Sequence, residues 1–293
     1  MQNDLSGYLD NSQLKMFQTC PRLYKHVYID GVANPVGPAA RVSKYLYHAP
    51  LAEWYSAGMK RQPFDTFAGD YWTTQCTRVK LTEHELLKDT KKLYSLANAR
   101  HAFEEYIKRF ASDFTDYEIL AVEENFVNDD FGFLSRPDVV VRDRTTGDEG
   151  TIELKVTSWQ NVLTAVDFNT QVLGQLYVTK GDFCLFTVIN FGKDPAPIRI
   201  KVLRDNTQQD DWHSNILMQI ADVLTCKKVN IWPKHAPEAC TRFGEECQFL
   251  EVCGTEDPDQ KSRLLAEMPH TDPLAYLKNG SGTKTKSSNG SGY

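Results

Sequence analysis

Asp138, Glu153 and Lys155 stand on either side of a turn-forming segment, Arg144-Thr-Thr-Gly-Asp-Glu149. The flanking runs GFLSRPDVVVRD (132–143) and GTIELKVTS (150–158) read as strands, rich in β-branched residues and bounded by turn formers. Closing the hairpin between Thr145 and Thr146 brings Asp138 opposite Glu153 on one sheet face. Glu153 and Lys155 are two apart and share that face, while Leu154 points the other way. Two carboxylates and an ammonium then converge on one side of an apolar sheet, which is costly unless something uses them. The chemistry that needs such a trio is cation-assisted hydrolysis of a phosphodiester. Asp138, Glu153 and the backbone carbonyl of Leu154 offer hard oxygens to Mg²⁺ or Mn²⁺. The ion polarises the phosphate and lowers the pKa of bound water. A lysine beside it steadies the attacking water and offsets charge in the transition state. The competing reading is a surface ion pair across a hairpin. The triplet D-x-K also occurs at Asp89–Lys91 and Asp259–Lys261, but there in polar, helical or loop-like surroundings.

The cysteines form a second pattern. Of seven, Cys240, Cys247 and Cys253 crowd into CTRFGEECQFLEVC, and Cys20 lies near the other end of the chain in FQTCPRLY. Thiolates grouped this way suit a soft metal centre. No spacing is C-x2-C, so the usual zinc-ribbon pattern is absent. Zinc remains the alternative occupant, with His235 as a further ligand candidate. The N-terminal helix and the C-terminal arm carry little apolar surface of their own, so four metal–thiolate bonds would lock the two ends across the core. Cys76, Cys184 and Cys226 read as structural residues.

The elements that must position these groups follow from periodicity. A helix is expected from Ser12 to Tyr28, capped by Asn11 or Ser12 and kinked or restarted at Pro21. Further helices are expected over 41–58, 82–94 and 96–112, the last with Ala99, Phe103, Tyr106, Ile107 and Phe110 in phase. YEILAVEENFV (117–127) reads as a strand ahead of the hairpin. A helix over 168–180, strands over 182–191 and 197–205, and an amphipathic helix over 211–226 complete the order. This is an α/β chain with a central mixed sheet flanked by helices. Residues 1–277 read as one folded domain, and 278–293 as a flexible Gly/Ser/Lys tail.

Composition bounds the function. With 41% hydrophobic and 25% charged residues the bulk is globular rather than disordered. No uncharged apolar run is long enough for a membrane span. The N-terminus lacks the basic and apolar regions of a secretory signal, so the expected location is the cytoplasm. A net charge of −6 excludes a protein that coats nucleic acid by bulk charge. It leaves room for an enzyme with a local basic groove and a carboxylate pocket.

Pro137-Asp138 followed by Glu153-Leu154-Lys155 resembles the PD-(D/E)xK motif of the restriction-endonuclease-like nucleases, and the element order resembles their αβββαβ core. His48, in YLYHAPLAEWY, resembles the helical histidine that adds a metal ligand in the RecB-like branch; His101 is the competing histidine. Gln171, in Gln171-Val-Leu-Gly-Gln175-Leu-Tyr177, resembles the first residue of that branch's Q-x-x-x-Y helix. Gln175 holds the tyrosine's place, and Tyr177 lies about 200° further round. SQLKMFQTCPRLY with the C-terminal trio resembles the iron–sulphur staple of AddB-type helicase-nucleases and CRISPR-associated adaptation exonucleases, phage-encoded members above all. The Cys247-x5-Cys253 spacing fits that pattern, and the Cys240–Cys247 spacing departs from it.

The resemblance implies a restriction-endonuclease-like core whose ends are joined by a [4Fe–4S] cluster on Cys20, Cys240, Cys247 and Cys253. It implies Mg²⁺ or Mn²⁺ held by His48, Asp138, Glu153 and the Leu154 carbonyl, with Lys155 and Gln171 completing the catalytic set. The implied activity is exonucleolytic hydrolysis of DNA ends or single strands in recombination, repair or phage replication, beside protein partners of those processes and in the host cytoplasm if phage-encoded. Basic residues would meet phosphates, and Trp159 would stack a base or fill the core. Two other classes stay open: a non-catalytic DNA-binding or assembly subunit that keeps the fold, and a zinc or redox protein whose hairpin carboxylates are incidental.

Overall fold

The computed structural model describes residues 7–32, 44–58, 96–157, 169–190, 197–235, 238–241, 246–270, 272, 274 and 283–285. In chain order the elements begin with β1 (Leu9–Asp10), α1 (Asn11–Thr19), α2 (Pro21–Tyr24) and a π-helical turn (Lys25–Ile29). A second π-helical turn (Lys44–His48), α3 (Ala49–Ser56), α4 (Leu96–Arg109) and α5 (Asp113–Asp116) follow. The strands β2 (Tyr117–Val122), β3 (Asn125–Asn128), β4 (Phe133–Ser135), β5 (Val139–Asp143) and β6 (Glu149–Thr157) come next. The remainder comprises α6 (Thr170–Thr179), β7 (Phe183–Asn190), β8 (Ile198–Leu203), α7 (Asn206–Val229), α8 (Leu250–Gly254), α9 (Pro258–Glu267) and β9 (Thr283–Thr285). The helix expected over 82–94, Trp159 and Cys76 lie outside the described residues. No helix among the described residues is long and apolar enough to cross a membrane. The chain divides into two compact units, one of residues 1–35, 127–134 and 210–285, the other of 36–126, 135–209 and 286–293.

The second unit carries the five-stranded sheet β2-β5-β6-β7-β8. Its pairs are antiparallel except β6 with β7, which run parallel and are bridged in sequence by α6. The β5–β6 hairpin pairs Val139 with Ile152 and Val140 with Thr151, the register that the turn at 145–146 predicts. Strand alternation then sorts side chains between two layers. Val139, Val141, Ile152, Leu154, Leu185 and Ile189 pack against residues of α3 and α4 on one face. Cys184, Phe186, Val188 and Val202 pack with Val172 and Leu176 of α6. Gly150 has no room for a side chain: a Cβ there would meet the Phe183 ring at 2.5 Å and its carbonyl at 2.6 Å. The strand expected over 117–127 is broken into β2 and β3, because Glu123 takes a left-handed conformation (φ 51°).

In the first unit, β1 runs parallel to β4, with Leu9 beside Phe133, in a sheet ordered β1-β4-β3-β9. Asp10, not Asn11 or Ser12, caps α1: its backbone is still extended, and its carboxylate accepts the Gln13 N–H at 2.8 Å. Pro21 opens α2, a second start within the predicted helix. The N- and C-terminal segments do have apolar surface to dock with. Val27, Val32, Phe249 and Val252 form a buried cluster, flanked by Met16, Leu23, Leu264 and Met268. The His26 ring stacks on Phe249 at 4.7 Å and Tyr24 on Trp232 at 5.9 Å. This corrects the expectation that only metal–thiolate bonds could hold the ends together. The contacting residues are far apart in sequence, and none of the segments looks strongly amphipathic alone.

Candidate functional site

β6 turns Glu153 and Lys155 toward α6, while Leu154 faces the opposite layer. Asn169 caps α6, accepting the Gln171 N–H at 3.0 Å, which fixes where the helix starts. Gln171 and Gln175 are four apart and so lie on one face of α6. Both point at Glu153. Lys155 Nζ and Gln171 Nε2 donate to Glu153 Oε1 at 2.6 and 2.8 Å, and Gln175 Nε2 donates to Oε2 at 2.6 Å. Lys155 Nζ also donates to Gln171 Oε1 at 2.6 Å. The Glu153 side chain is only 2% exposed. Burial lifts its carboxyl above the usual range; Lys155 opposes this and Asp138 adds to it. Burial alone would lower the Lys155 ammonium, but the Glu153 carboxylate outweighs it and the net direction is up.

Asp138 sits just before β5. Its Oδ2 accepts the Leu154 N–H at 2.7 Å, and its Oδ1 lies 3.3 Å from His48 Nδ1. Burial pushes this carboxyl up, yet His48 and the Leu154 N–H prevail and hold it below the usual range. His48 is raised: burial acts against its charge, and Asp138 more than compensates. His48 ends the second π-helical turn, immediately ahead of α3. Both side chains remain about a quarter exposed, at 24% and 22%, which leaves an open approach to them. They line a cavity with Tyr55, Tyr106, Glu123 and Leu154.

Among the described residues, one group brings three donor atoms within 4.8 Å of one another: His48, Glu123 and Asp138. An imidazole and two carboxylates are a fitting donor set for Mn²⁺ or Mg²⁺. The predicted ligands His48 and Asp138 are thus brought together, while Glu153 lies outside that group, bound by Lys155, Gln171 and Gln175. Glu123 and Gln175 were not among the predicted site residues. Glu123 is disguised by an unbroken strand-like run. Gln175 carried a readable signal, its four-residue spacing from Gln171.

A buried polar network lies beneath the cavity. Arg199 donates to Asp113 Oδ1 at 2.7 Å, to Thr187 Oγ1 at 2.8 Å and to the Tyr106 hydroxyl at 3.0 Å. Tyr55 donates to Asp113 Oδ2 at 2.5 Å and its hydroxyl lies 2.9 Å from that of Tyr106. These bonds orient the two tyrosines that line the cavity.

The four cysteines singled out in the sequence all belong to the first unit. Cys20 ends α1, and the Cys247 N–H donates to the Cys240 carbonyl at 2.8 Å. Burial raises the thiols of Cys247 and Cys253, and in each case neighbouring members of the same four add to the rise. No three of them come within 4.8 Å of one another among the described residues. One tetrahedral zinc, with bonds of about 2.3 Å, would draw them closer than that. The six described cysteines are free thiols. His235 turns its Nδ1 to the Gln18 carbonyl at 3.2 Å.

A mixed sheet flanked by helices, with Asp138 ahead of β5 bonded to the β6 backbone and Glu153 and Lys155 paired within β6, is consistent with a restriction-endonuclease-like core. The chain belongs to the PD-(D/E)XK nuclease superfamily, whose profile matches residues 11–254. Similar solved structures include a putative exonuclease from Eubacterium rectale, 15% identical, covering 82% of this chain and 88% of that one with a TM-score of 0.47. An alkaline exonuclease from Laribacter hongkongensis is 18% identical, covering 63% of this chain and 96% of that one with a TM-score of 0.30. No curated protein matches the sequence.

Proposed function

We propose that the protein is a divalent-cation-dependent deoxyribonuclease that works from DNA ends or on single strands, in recombination, repair or phage replication in the cytoplasm. The observation that carries this reading is a pair of linkages, His48–Asp138–Leu154 N–H and Glu153–Lys155–Gln171, that meet along β6 just beyond the start of β5. His48, Asp138, Glu153 and the Leu154 carbonyl would hold Mg²⁺ or Mn²⁺. The bound ion supplies a lowered water pKa and a polarised phosphate. Lys155 keeps its charge against burial because Glu153 is beside it, so it can hold the attacking water and face negative charge developing on the phosphate. Gln171 fixes both partners, leaving Lys155 one orientation. Digestion of 5′- and 3′-labelled strands by anaerobically purified protein tests this. Mn²⁺-dependent loss of nucleotides from one end is expected; no cleavage with Mn²⁺ on any strand would sink the reading.

Cys20, Cys240, Cys247 and Cys253 serve, on the same reading, as ligands of a [4Fe–4S] cluster. Support comes from the placement of all four cysteines in the first unit, with the Cys247 N–H bonded to the Cys240 carbonyl. The cluster would reinforce an apolar dock that already exists, so its role is added rigidity rather than sole attachment. Anaerobic protein should be brown and contain iron with acid-labile sulfide, and Cys253→Ser should lose both. Colourless protein with stoichiometric zinc would contradict the assignment.

A further inference from the structure

Glu123 occupies a position that a glutamate seldom takes. Its φ of 51° is left-handed, a region costly for residues other than glycine and asparagine. Three contacts keep it there. Its N–H donates to the Asp138 carbonyl at 3.0 Å, Arg136 Nε donates to its carbonyl at 3.0 Å, and Arg136 pairs with its Oε2 at 2.8 Å. The break between β2 and β3 thus ties the Glu123 backbone to the Asp138 backbone, and the carboxylate comes within 4.8 Å of the donor atoms of His48 and Asp138. All four residues belong to the same compact unit.

We infer that Glu123 is itself a ligand of the divalent cation, completing a His48–Glu123–Asp138 face, and that Arg136 is the positioning residue that holds it. The inference deepens the proposed nuclease reading and rests on it. Two carboxylates then flank Asp138 on different sides. Glu123 comes from the end of β2 and shares the cavity with His48, and Glu153 comes from β6 within the Lys155–Gln171–Gln175 web. Such an arrangement adds a ligand on the Glu123 side to the one Glu153 offers beside Lys155. Arg136 balances one negative charge of the face without occupying it, since it meets Glu123 through Oε2 and the main-chain carbonyl. The ligand class is a hard divalent cation, Mn²⁺ or Mg²⁺.

Direct Mn²⁺ binding tests this, by calorimetry or by the free-ion electron paramagnetic resonance signal, on the anaerobically purified full chain. Glu123→Gln should weaken Mn²⁺ binding by about 100-fold, and Arg136→Gln by about 10-fold, the lower end of the range for residues that orient ligands. Glu123→Asn, whose side chain tolerates left-handed backbone, serves if the glutamine variant folds poorly. Folded Glu123 variants that bind Mn²⁺ like wild type would overturn the inference and leave Glu123 as an ion-pair partner of Arg136, with the nuclease reading intact. Wild-type protein that binds no Mn²⁺ would instead overturn both.

Discussion

Lys155→Met is expected to lower the rate of the chemical step by about 10³-fold, the scale of removing one group that stabilises transition-state charge. The side chain is held by two bonds of 2.6 Å, to Glu153 and to Gln171. Methionine keeps the length and loses the charge. Because Lys155 is not itself a cation ligand and acts through its bond to Glu153, turnover should fall far more than Mn²⁺ affinity. The loss should therefore appear in kcat rather than KM, since the group acts where charge develops. Single-turnover digestion of a labelled strand at saturating Mn²⁺, beside a Mn²⁺ titration, separates the two. Equal losses of Mn²⁺ affinity and turnover would make Lys155 a structural counter-ion instead. Removing it also leaves the Glu153 carboxylate buried with only the two glutamine donors, so a modest fall in stability is expected alongside.

Arg199→Ala should destabilise the fold by about 3–5 kcal/mol, the cost of stripping one partner from a buried ion pair. Asp113 is 4% exposed and Arg199 11%, so water cannot replace the lost guanidinium. The deletion also leaves Thr187 Oγ1 with only the Leu185 carbonyl at 3.5 Å and empties the space over the Phe110 ring, where the guanidinium carbon sits 3.7 Å from the centroid. Thermal unfolding should fall by roughly 10 °C, at about 2–4 °C per kcal/mol for a chain of this size. The double variant Asp113→Leu with Arg199→Met should recover much of the loss, because it leaves no uncompensated charge. If the single and double variants melt alike, packing rather than charge pairing explains the site. Tyr55 and Tyr106 lose an anchor in the single variant, so the cavity they line should loosen and activity should fall further than stability predicts.

How far the sequence carries can be read from individual residues. The hairpin register was legible because a turn of Thr, Gly and Asp separates two β-branched runs, and only one closure puts the apolar positions on a common face. That register sets Val139 beside Ile152, and the two-residue spacing puts Glu153 and Lys155 together on the α6 side. Glu123 was not legible. Nothing in VEEN announces a left-handed residue, and the break appears only because Arg136 and the Asp138 carbonyl hold it. Gln175 looked like a departure from a family tyrosine, whereas its amide supplies the bond that keeps Glu153 turned toward α6. The docking of the chain ends was hidden for another reason. Val27 meets Phe249 across most of the sequence, and apolar contacts of that separation leave no periodic trace.

The central claim is that the linked Asp138, Glu153 and Lys155 are the hydrolytic centre. Digestion of end-labelled DNA by wild type and Glu153→Ala, in Mn²⁺ and then with chelator added, tests it most directly. Cleavage by wild type that stops with chelator, and none by Glu153→Ala, is the predicted result. Comparable cleavage by the two proteins would contradict it.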